Sequence, residues 1–104
     1  MAFLNDREEA IIADFYRNIK SHRDDKLTLV WNGFGVADAV FYSCFEDDND
    51  LEDDDENYEE FVTFVFKATH IRGNLPVKTD ENGYFWINYR TFPDEIIADN
   101  KKIN

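Results

Sequence analysis

The sequence predicts an α+β domain in which an antiparallel sheet of about four to five strands packs against an N-terminal helix, with a short C-terminal helix. Apolar residues recur at helical spacing near the start of the chain. Several β-branched and aromatic runs follow, separated by residues that favour turns. A helix followed by consecutive strands is typical of the α+β class. With 104 residues, the chain (1–104) is expected to form a single domain.

The N-terminal helix is predicted over residues 6–22, a segment without glycine or proline. Asn5 is expected to cap it, and Glu8 stands three residues later, where it would complete a capping box. The apolar face of this helix is predicted to consist of Ile12, Phe15, Tyr16 and Ile19.

Four segments have the composition of strands: 26–32, 37–45, 61–69 and 84–89. In the second, regular alternation predicts Val40, Tyr42 and Cys44 on one face and Phe41 and Phe45 on the other. The third is apolar on both faces near its start, which predicts a central position in the sheet.

Turn and helix signals complete the chain. Residues 79–83 (TDENG) are predicted to form the turn before the fourth strand, because Asn82 and Gly83 favour positive φ. Pro93 followed by DEIIADNKK predicts the short C-terminal helix, because proline is favoured in the first helical turn.

The charge of the protein is concentrated in residues 46–60 (EDDNDLEDDDENYEE), which we call the acidic segment. Eleven of its 15 residues are Asp or Glu, and none is Lys or Arg. The net charge of the chain is −12, but outside the acidic segment 12 acidic residues face 11 basic ones. The sequence therefore describes a nearly neutral domain that carries one anionic segment, and this arrangement indicates a cationic partner.

Composition also disfavours several functional classes. Direct nucleic-acid binding is disfavoured because it depends on Lys and Arg to replace counterions. No apolar run approaches the ~20 residues that span a bilayer, and the first residues lack the basic and apolar regions of a secretory signal. The single Cys44 cannot form an internal disulfide. We expect a cytoplasmic protein that binds neither nucleic acid nor membrane, while exposed strand edges leave its oligomeric state open.

Catalysis has weak support in the sequence. It contains no GxSxG, P-loop, HExxH or CxxC motif. An acid–base pair of His22 and His70 is one alternative, but a cation at a helix end explains His22 without catalysis. Cys44 lies in an apolar strand, where free cysteines are usually buried. The prediction is a protein without enzymatic activity and without a cofactor.

A calcium-binding module is a second alternative. Asp48, Asp50, Glu52 and Glu59 occupy positions 1, 3, 5 and 12 of a calcium-loop template. However, Asp53 stands at position 6, where the template requires glycine, and the flanking segments are predicted strands instead of helices. We therefore predict no metal site.

The order of segments resembles a known family. A Gly-Phe-Gly-Val turn at 33–36 precedes FYSCFEDDND, the rest of the acidic segment, an FVTFVF strand and a late YFWINY strand. Over residues 27–97 this is similar to the immunity proteins of contact-dependent growth inhibition systems, in particular those that neutralise ribonuclease toxins. The resemblance implies a cytoplasmic protein that binds the nuclease domain of its toxin and has no activity of its own. The resemblance includes no residue-level motif, so it does not identify site residues in this chain.

The leading prediction is an inhibitor that places the acidic segment in the cationic groove of a nuclease, where closely spaced carboxylates substitute for phosphates. A phage-type acidic protein that imitates DNA and inhibits a host nucleic-acid enzyme remains an alternative with the same physical basis. The contact residues are chosen from charge alone, with Tyr58 added because tyrosine is enriched at the centres of interfaces. They are Asp47, Asp48, Asp50, Glu52, Asp53, Asp54, Asp55, Glu56, Tyr58 and Glu59.

Overall fold

The computed structural model describes residues 6–104, so the Asn5 cap lies outside the described residues. The helical part is α1 (Asp6–Asn18), which tightens into a 3₁₀ helix (Ile19–His22) over its predicted last turn. The strands are β1 (Lys26–Trp31), β2 (Gly35–Asp48), β3 (Glu60–Gly73), β4 (Tyr84–Ile87), β5 (Glu95–Ala98) and β6 (Lys101–Lys102). No helix in residues 6–104 is long and apolar enough to cross a bilayer.

The described strands form one six-stranded antiparallel sheet in the order β4-β3-β2-β1-β5-β6. The α+β class is confirmed, and the sheet has more strands than the four to five predicted. β3 lies inside the sheet between β2 and β4, and its six residues 61–66 are all buried. This agrees with the central position predicted from its two apolar faces.

Helix α1 covers one face of the sheet. Ile12, Phe15 and Ile19 are almost fully buried, which confirms the predicted apolar face. The Phe15 ring meets Phe64 of β3 edge-on at 5.0 Å between centroids and Phe92 at 5.4 Å. Edge-on aromatic pairs add to the stabilisation that burial gives. The helix is therefore fixed to the sheet mainly by large aromatic side chains.

Glu8 has a structural role that the capping-box prediction does not include. Its side chain is fully buried, and its Oε2 accepts a hydrogen bond of 2.6 Å from the backbone N–H of Val62 in β3. Val62 lies just before Phe64, the first β3 residue paired with β4. The carboxylate thus serves a backbone amide beyond the end of the β4 ladder, where an unpaired buried N–H would be costly.

The facing of β2 differs from the prediction because the strand contains a bulge. Phe41 pairs with Phe66, whereas Ser43 pairs with Val65, so Tyr42 is the extra residue. Beyond the bulge, Cys44 packs against the core on the same face as Phe41, whereas the alternation predicted the two residues on opposite faces. The predicted alternation is therefore correct as far as Tyr42 and wrong for Cys44 and Phe45. Tyr42 and Phe45 are exposed, on the face away from the helix.

The predicted C-terminal helix is wrong: the DEIIADNKK segment forms a hairpin of β5 and β6. Ile96 and Ala98 are buried with the two-residue period of a strand, and Ile96 pairs with Leu29 of β1. Asp99 and Asn100 have φ of 50° and 66°, as a two-residue hairpin turn requires. The physical reason is non-local: β1 has an open edge whose backbone groups β5 satisfies.

Candidate functional site

The acidic segment lies at the end of the long β2–β3 hairpin. Each strand has 14 residues, and the last pair in the ladder is Asp48 with Glu60. Glu46 and Asp47 are also paired within the strands, with Val62 and Phe61. The connection is therefore limited to residues 49–59. The sheet fixes the backbone of four acidic residues of the segment: Glu46, Asp47, Asp48 and Glu60.

Asn49 closes the neck of this connection. Its side-chain Nδ2 donates to the carbonyl of Asn57 at 2.8 Å, and its Oδ1 accepts from the backbone N–H of Glu59 at 3.2 Å. Its own backbone N–H donates to the carbonyl of Glu59 at 3.2 Å. The Asn49 side chain thus joins the two ends of the connection and holds them at a fixed distance from each other.

Several carboxylates of the segment bind its own backbone. Asp48 Oδ1 accepts from the N–H of Asp50 at 2.8 Å, and Asp55 Oδ1 accepts from the N–H of Asn57 at 2.8 Å. Such local turns tolerate unusual backbone angles, and Asp50 has a φ of 64°. The acidic segment is therefore shaped by hydrogen bonds that its acidic residues make themselves.

The structure brings some of the predicted contact residues together and separates others. Asp47, Asp48 and Tyr58 line a shallow cavity of about 240 Å³ with Glu46 and Glu60. Glu46 and Glu60 are the first and last residues of the acidic segment but were not among the predicted contact residues, and the strand pairing brings them together across the hairpin. The contact residues that the structure leaves exposed are Asp47, Asp50, Glu52, Asp53, Asp54, Asp55 and Glu56.

Glu59 differs from the other contact residues because it has a cationic partner inside the chain. Its Oε2 lies 2.5 Å from Nη2 of Arg90, and its side chain is only 14% exposed. Arg90 is itself held by Tyr89: its Nε donates to the phenolic oxygen at 3.1 Å. The guanidinium of Arg7 lies 5.7 Å from the centre of the same ring. Glu59 thus anchors the acidic segment to the body of the domain.

Tyr58 stands among carboxylates. Its hydroxyl donates to Glu60 Oε1 at 2.8 Å. This hydrogen bond raises the pKa of Tyr58 to about 12, with burial and the charges of Asp48 and Asp53 contributing less. Each of these effects disfavours the charged phenolate. At neutral pH the residue therefore presents a neutral phenol within an anionic surface.

The residues considered for catalysis do not form a common site. His22 Nδ1 bonds to Asp25 Oδ2 at 3.0 Å, and His70 is exposed on β3 opposite Asp38. The cavity that Cys44 lines contains no histidine. Burial raises the pKa of the Cys44 thiol, against a smaller opposite effect of two nearby cations. A thiol with a raised pKa is not activated for nucleophilic attack.

The residues at the first and last positions of the calcium template have structural roles. Asp48 binds the backbone of Asp50, and Glu59 binds Arg90. Within the part of the chain that the structure describes, no three His, Cys, Asp or Glu side chains are grouped so that they could hold a metal ion.

Sequence reasoning also missed an exposed aromatic surface on the face of the sheet opposite α1. Tyr42, Phe45 and Trp86 have exposed fractions of 58%, 40% and 46%. The Tyr42 and Tyr84 rings meet edge-on, with centroids 5.2 Å apart. Tyr84 and Trp86 alternate along β4 with the buried Phe85 and Ile87, so both lie on this face. The bulge at Tyr42 adds residues of β2 to the same surface.

Comparison with known protein families identifies a family to which this chain is similar. The model of a family described as cognate immunity protein YxxD matches residues 11–93, which is most of the chain and includes the whole acidic segment. No curated protein and no solved structure matches the chain.

Proposed function

The chain belongs to the YxxD family of cognate immunity proteins, and from this premise we propose that it neutralises a cationic nuclease toxin by binding it through the acidic segment. The family points to a toxin as the partner. The nuclease activity, and ribonuclease activity in particular, is our inference from the carboxylate pattern and from the resemblance to immunity proteins of contact-dependent growth inhibition. The protein acts by occlusion and not by catalysis, in the cytoplasm where the toxin finds its substrate.

The observation that carries this proposal is that the exposed carboxylates stand on a preformed connection. Asn49 closes its neck, and Arg90 fixes Glu59 to the body of the domain. A segment that is already ordered loses less conformational entropy on binding than a flexible one. The carboxylates can then meet the arginine and lysine side chains that a nuclease uses to hold successive phosphates.

The electrostatic contribution acts mainly on the rate of association. A concentrated negative charge attracts a cationic partner over distances of about 10 Å at 0.1 M salt, and higher salt screens it. Complementary charge therefore accelerates encounter, while paired and buried charges slow dissociation. A phage-type DNA mimic would work by the same physics, but family membership favours a toxin as the partner.

The experiment uses the C-terminal domain of the toxin encoded beside this gene. A loop variant combines Glu52→Gln, Asp53→Asn and Asp54→Asn, three residues whose side chains make no hydrogen bond within residues 6–104; the carbonyl of Glu52 that accepts from Asp55 is kept. The matched control removes three exposed acids elsewhere, Glu9→Gln, Asp14→Asn and Asp24→Asn. We expect the loop variant to associate at least about tenfold more slowly at low salt.

The control should associate nearly as fast as the parent protein and should protect cells that express the toxin. Equal association rates for the loop variant and the control would contradict the role of the acidic segment. Failure of the parent protein to bind this toxin domain would contradict the proposed function itself.

A further inference from the structure

We propose that the helix-free face of β2, β3 and β4 forms the apolar centre of the toxin interface, with the acidic segment as its anionic border. This inference rests on the proposed function and adds a second, physically different contact surface to it. We call this surface the aromatic patch and define it by five residues: Tyr42, Phe45, Val65, Tyr84 and Trp86.

Four members of the aromatic patch line one cavity, and Phe45 lies two residues beyond Ser43 on the same face of β2. Val65 pairs with Ser43 on one side and with Trp86 on the other, so three neighbouring strands contribute. A shallow cavity of about 320 Å³ is lined by Tyr42, Val65, Tyr84 and Trp86 together with Ser43 and Asp80. The patch therefore combines a concave, apolar floor with exposed aromatic rings around it.

The two helical segments of the described chain pack on the opposite face of the sheet. Helix α1 and the 3₁₀ helix direct Phe15 and Ile19 into the core on the opposite face. Large aromatic side chains bury much area and stabilise a small domain when they are inside. Contiguous aromatic residues left on a surface mark interaction sites, and tyrosine and tryptophan are the residues that most often dominate binding energy.

Acidic residues stand at both ends of the patch. Asp47 follows Phe45 by two residues in β2 and pairs with Phe61, so the acidic segment continues directly from the patch. At the other end Asp80 lines the cavity beside Tyr84, next to the exposed Glu81. Lys67, which pairs with Tyr84, adds a cation on the same face, with its Nζ 5.5 Å from the centre of the Tyr84 ring. A partner that covers the aromatic rings therefore meets carboxylates on two sides and this lysine near Tyr84.

This charge arrangement favours the toxin over a second copy of the chain. Each copy has a net charge of −12. In a symmetric dimer formed through the patch, parallel strands would place the two acidic segments against each other. Antiparallel strands would place each acidic segment against Asp80 and Glu81, where Lys67 offers a single opposite charge. Like charges brought together at an interface cost free energy. A basic toxin surface instead supplies guanidinium groups, which pair with carboxylates and also stack on aromatic rings.

The test combines Tyr42→Ser with Trp86→Ser and measures binding to the C-terminal domain of the toxin encoded beside this gene. The matched control is Phe34→Ser, because Phe34 is 61% exposed in the β1–β2 turn, outside the patch. We expect the patch variant to bind at least about tenfold more weakly, mainly through faster dissociation. This loss should persist at 0.5 M salt, whereas the defect of the loop variant should largely disappear there.

A second measurement needs no substitution. The protein has two tryptophans, of which Trp31 is buried and Trp86 is exposed. Fluorine NMR of the protein labelled with 5-fluorotryptophan should show the Trp86 resonance shifting when unlabelled toxin domain is added, with little change at Trp31. This result is expected even if the patch variant were to fold poorly.

The outcomes separate the two proposals. If the loop variant is weakened but the patch variant binds like the parent and the Trp86 resonance does not move, the aromatic patch is not a contact surface while the proposed function stands. A dimeric parent protein that the patch variant converts into a monomer would assign the patch to a second copy and overturn the inference. A parent protein that does not bind the toxin domain overturns both proposals.

Discussion

The carboxylate of Glu59 lies 2.5 Å from the guanidinium of Arg90, a residue 31 positions further along the chain. This ion pair joins the end of the acidic segment to the residues that follow β4. It also means that one of the segment's acids is already neutralised inside the protein. The segment is therefore held in place by a cation of its own domain while most of its carboxylates stay exposed.

Replacing Arg90 with alanine should loosen the acidic segment without unfolding the domain. We expect the free energy of unfolding to fall by less than about 1 kcal/mol, because Arg90 is largely exposed. Amides in residues 50–58 should exchange with deuterium faster than in the parent. The control is Arg72→Ala, which removes a weaker pair with Asp38 at 3.7 Å, far from the segment. Unchanged exchange in Arg90→Ala would show that the pair does not hold the segment.

Asn49→Ala should destabilise the protein, because both side-chain hydrogen bonds at the neck are lost. Because Asn49 is only half-buried, each bond should contribute about 0.5–1 kcal/mol, so the free energy of unfolding should fall by about 1–2 kcal/mol in urea titrations. Asn32→Ala is the matched control, because within residues 6–104 Asn32 makes a hydrogen bond through its backbone N–H, to Asp94, and none through its side chain. Equal stabilities of the two variants would argue against a structural role for the Asn49 side chain.

Glu8→Ala should be the most destabilising of these changes, because it leaves the N–H of Val62 buried without this acceptor. We expect a loss of about 1–3 kcal/mol in the free energy of unfolding. Glu8→Gln keeps an oxygen acceptor of similar size and should lose less. The exposed neighbour Glu9→Ala is the control and should be close to neutral. A Glu8→Ala protein as stable as Glu9→Ala would contradict this assignment.

Glu60→Gln should lower the pKa of Tyr58 from about 12 towards its ordinary value of 10.0, because the hydrogen bond to a carboxylate is the main cause of the raised pKa. Since the folded pKa lies above the unfolded one, the associated stabilisation is complete below about pH 10 and is lost as pH rises through about 12. Carbon NMR titration of protein with labelled tyrosine Cζ measures this pKa. Glu56→Gln is the control. A Tyr58 pKa that Glu60→Gln leaves unchanged would show that the hydrogen bond to Glu60 is not what raises it.

The elements that the sequence predicts correctly are those with a strong local period. The apolar spacing of Ile12, Phe15 and Ile19 defines α1, and the two-residue alternation around Phe85 and Ile87 defines β4. The C-terminal hairpin was misread because Pro93 and two adjacent isoleucines fit a short helix equally well. The open edge of β1 decides the outcome, and that edge is a property of the sheet, which a local pattern does not contain.

The candidate site was predictable only in its charge. The density of carboxylates is visible in the sequence, but the pairing of Glu59 with Arg90 depends on how β3 and β4 bring distant residues together. The aromatic patch could not be predicted from the sequence for a similar reason. The bulge at Tyr42 shifts the later residues of β2 to the other face, and regular alternation had placed Tyr42 and Cys44 on the same side.

The central claim is tested most sharply by a hydrogen–deuterium exchange map of the protein with and without its cognate toxin. The account predicts that binding slows exchange in residues 49–59, while exposed amides of α1 on the opposite face exchange as before. Protection confined to α1, with residues 49–59 exchanging at the same rate in the complex as in the free protein, would contradict the claim that the acidic segment binds the toxin.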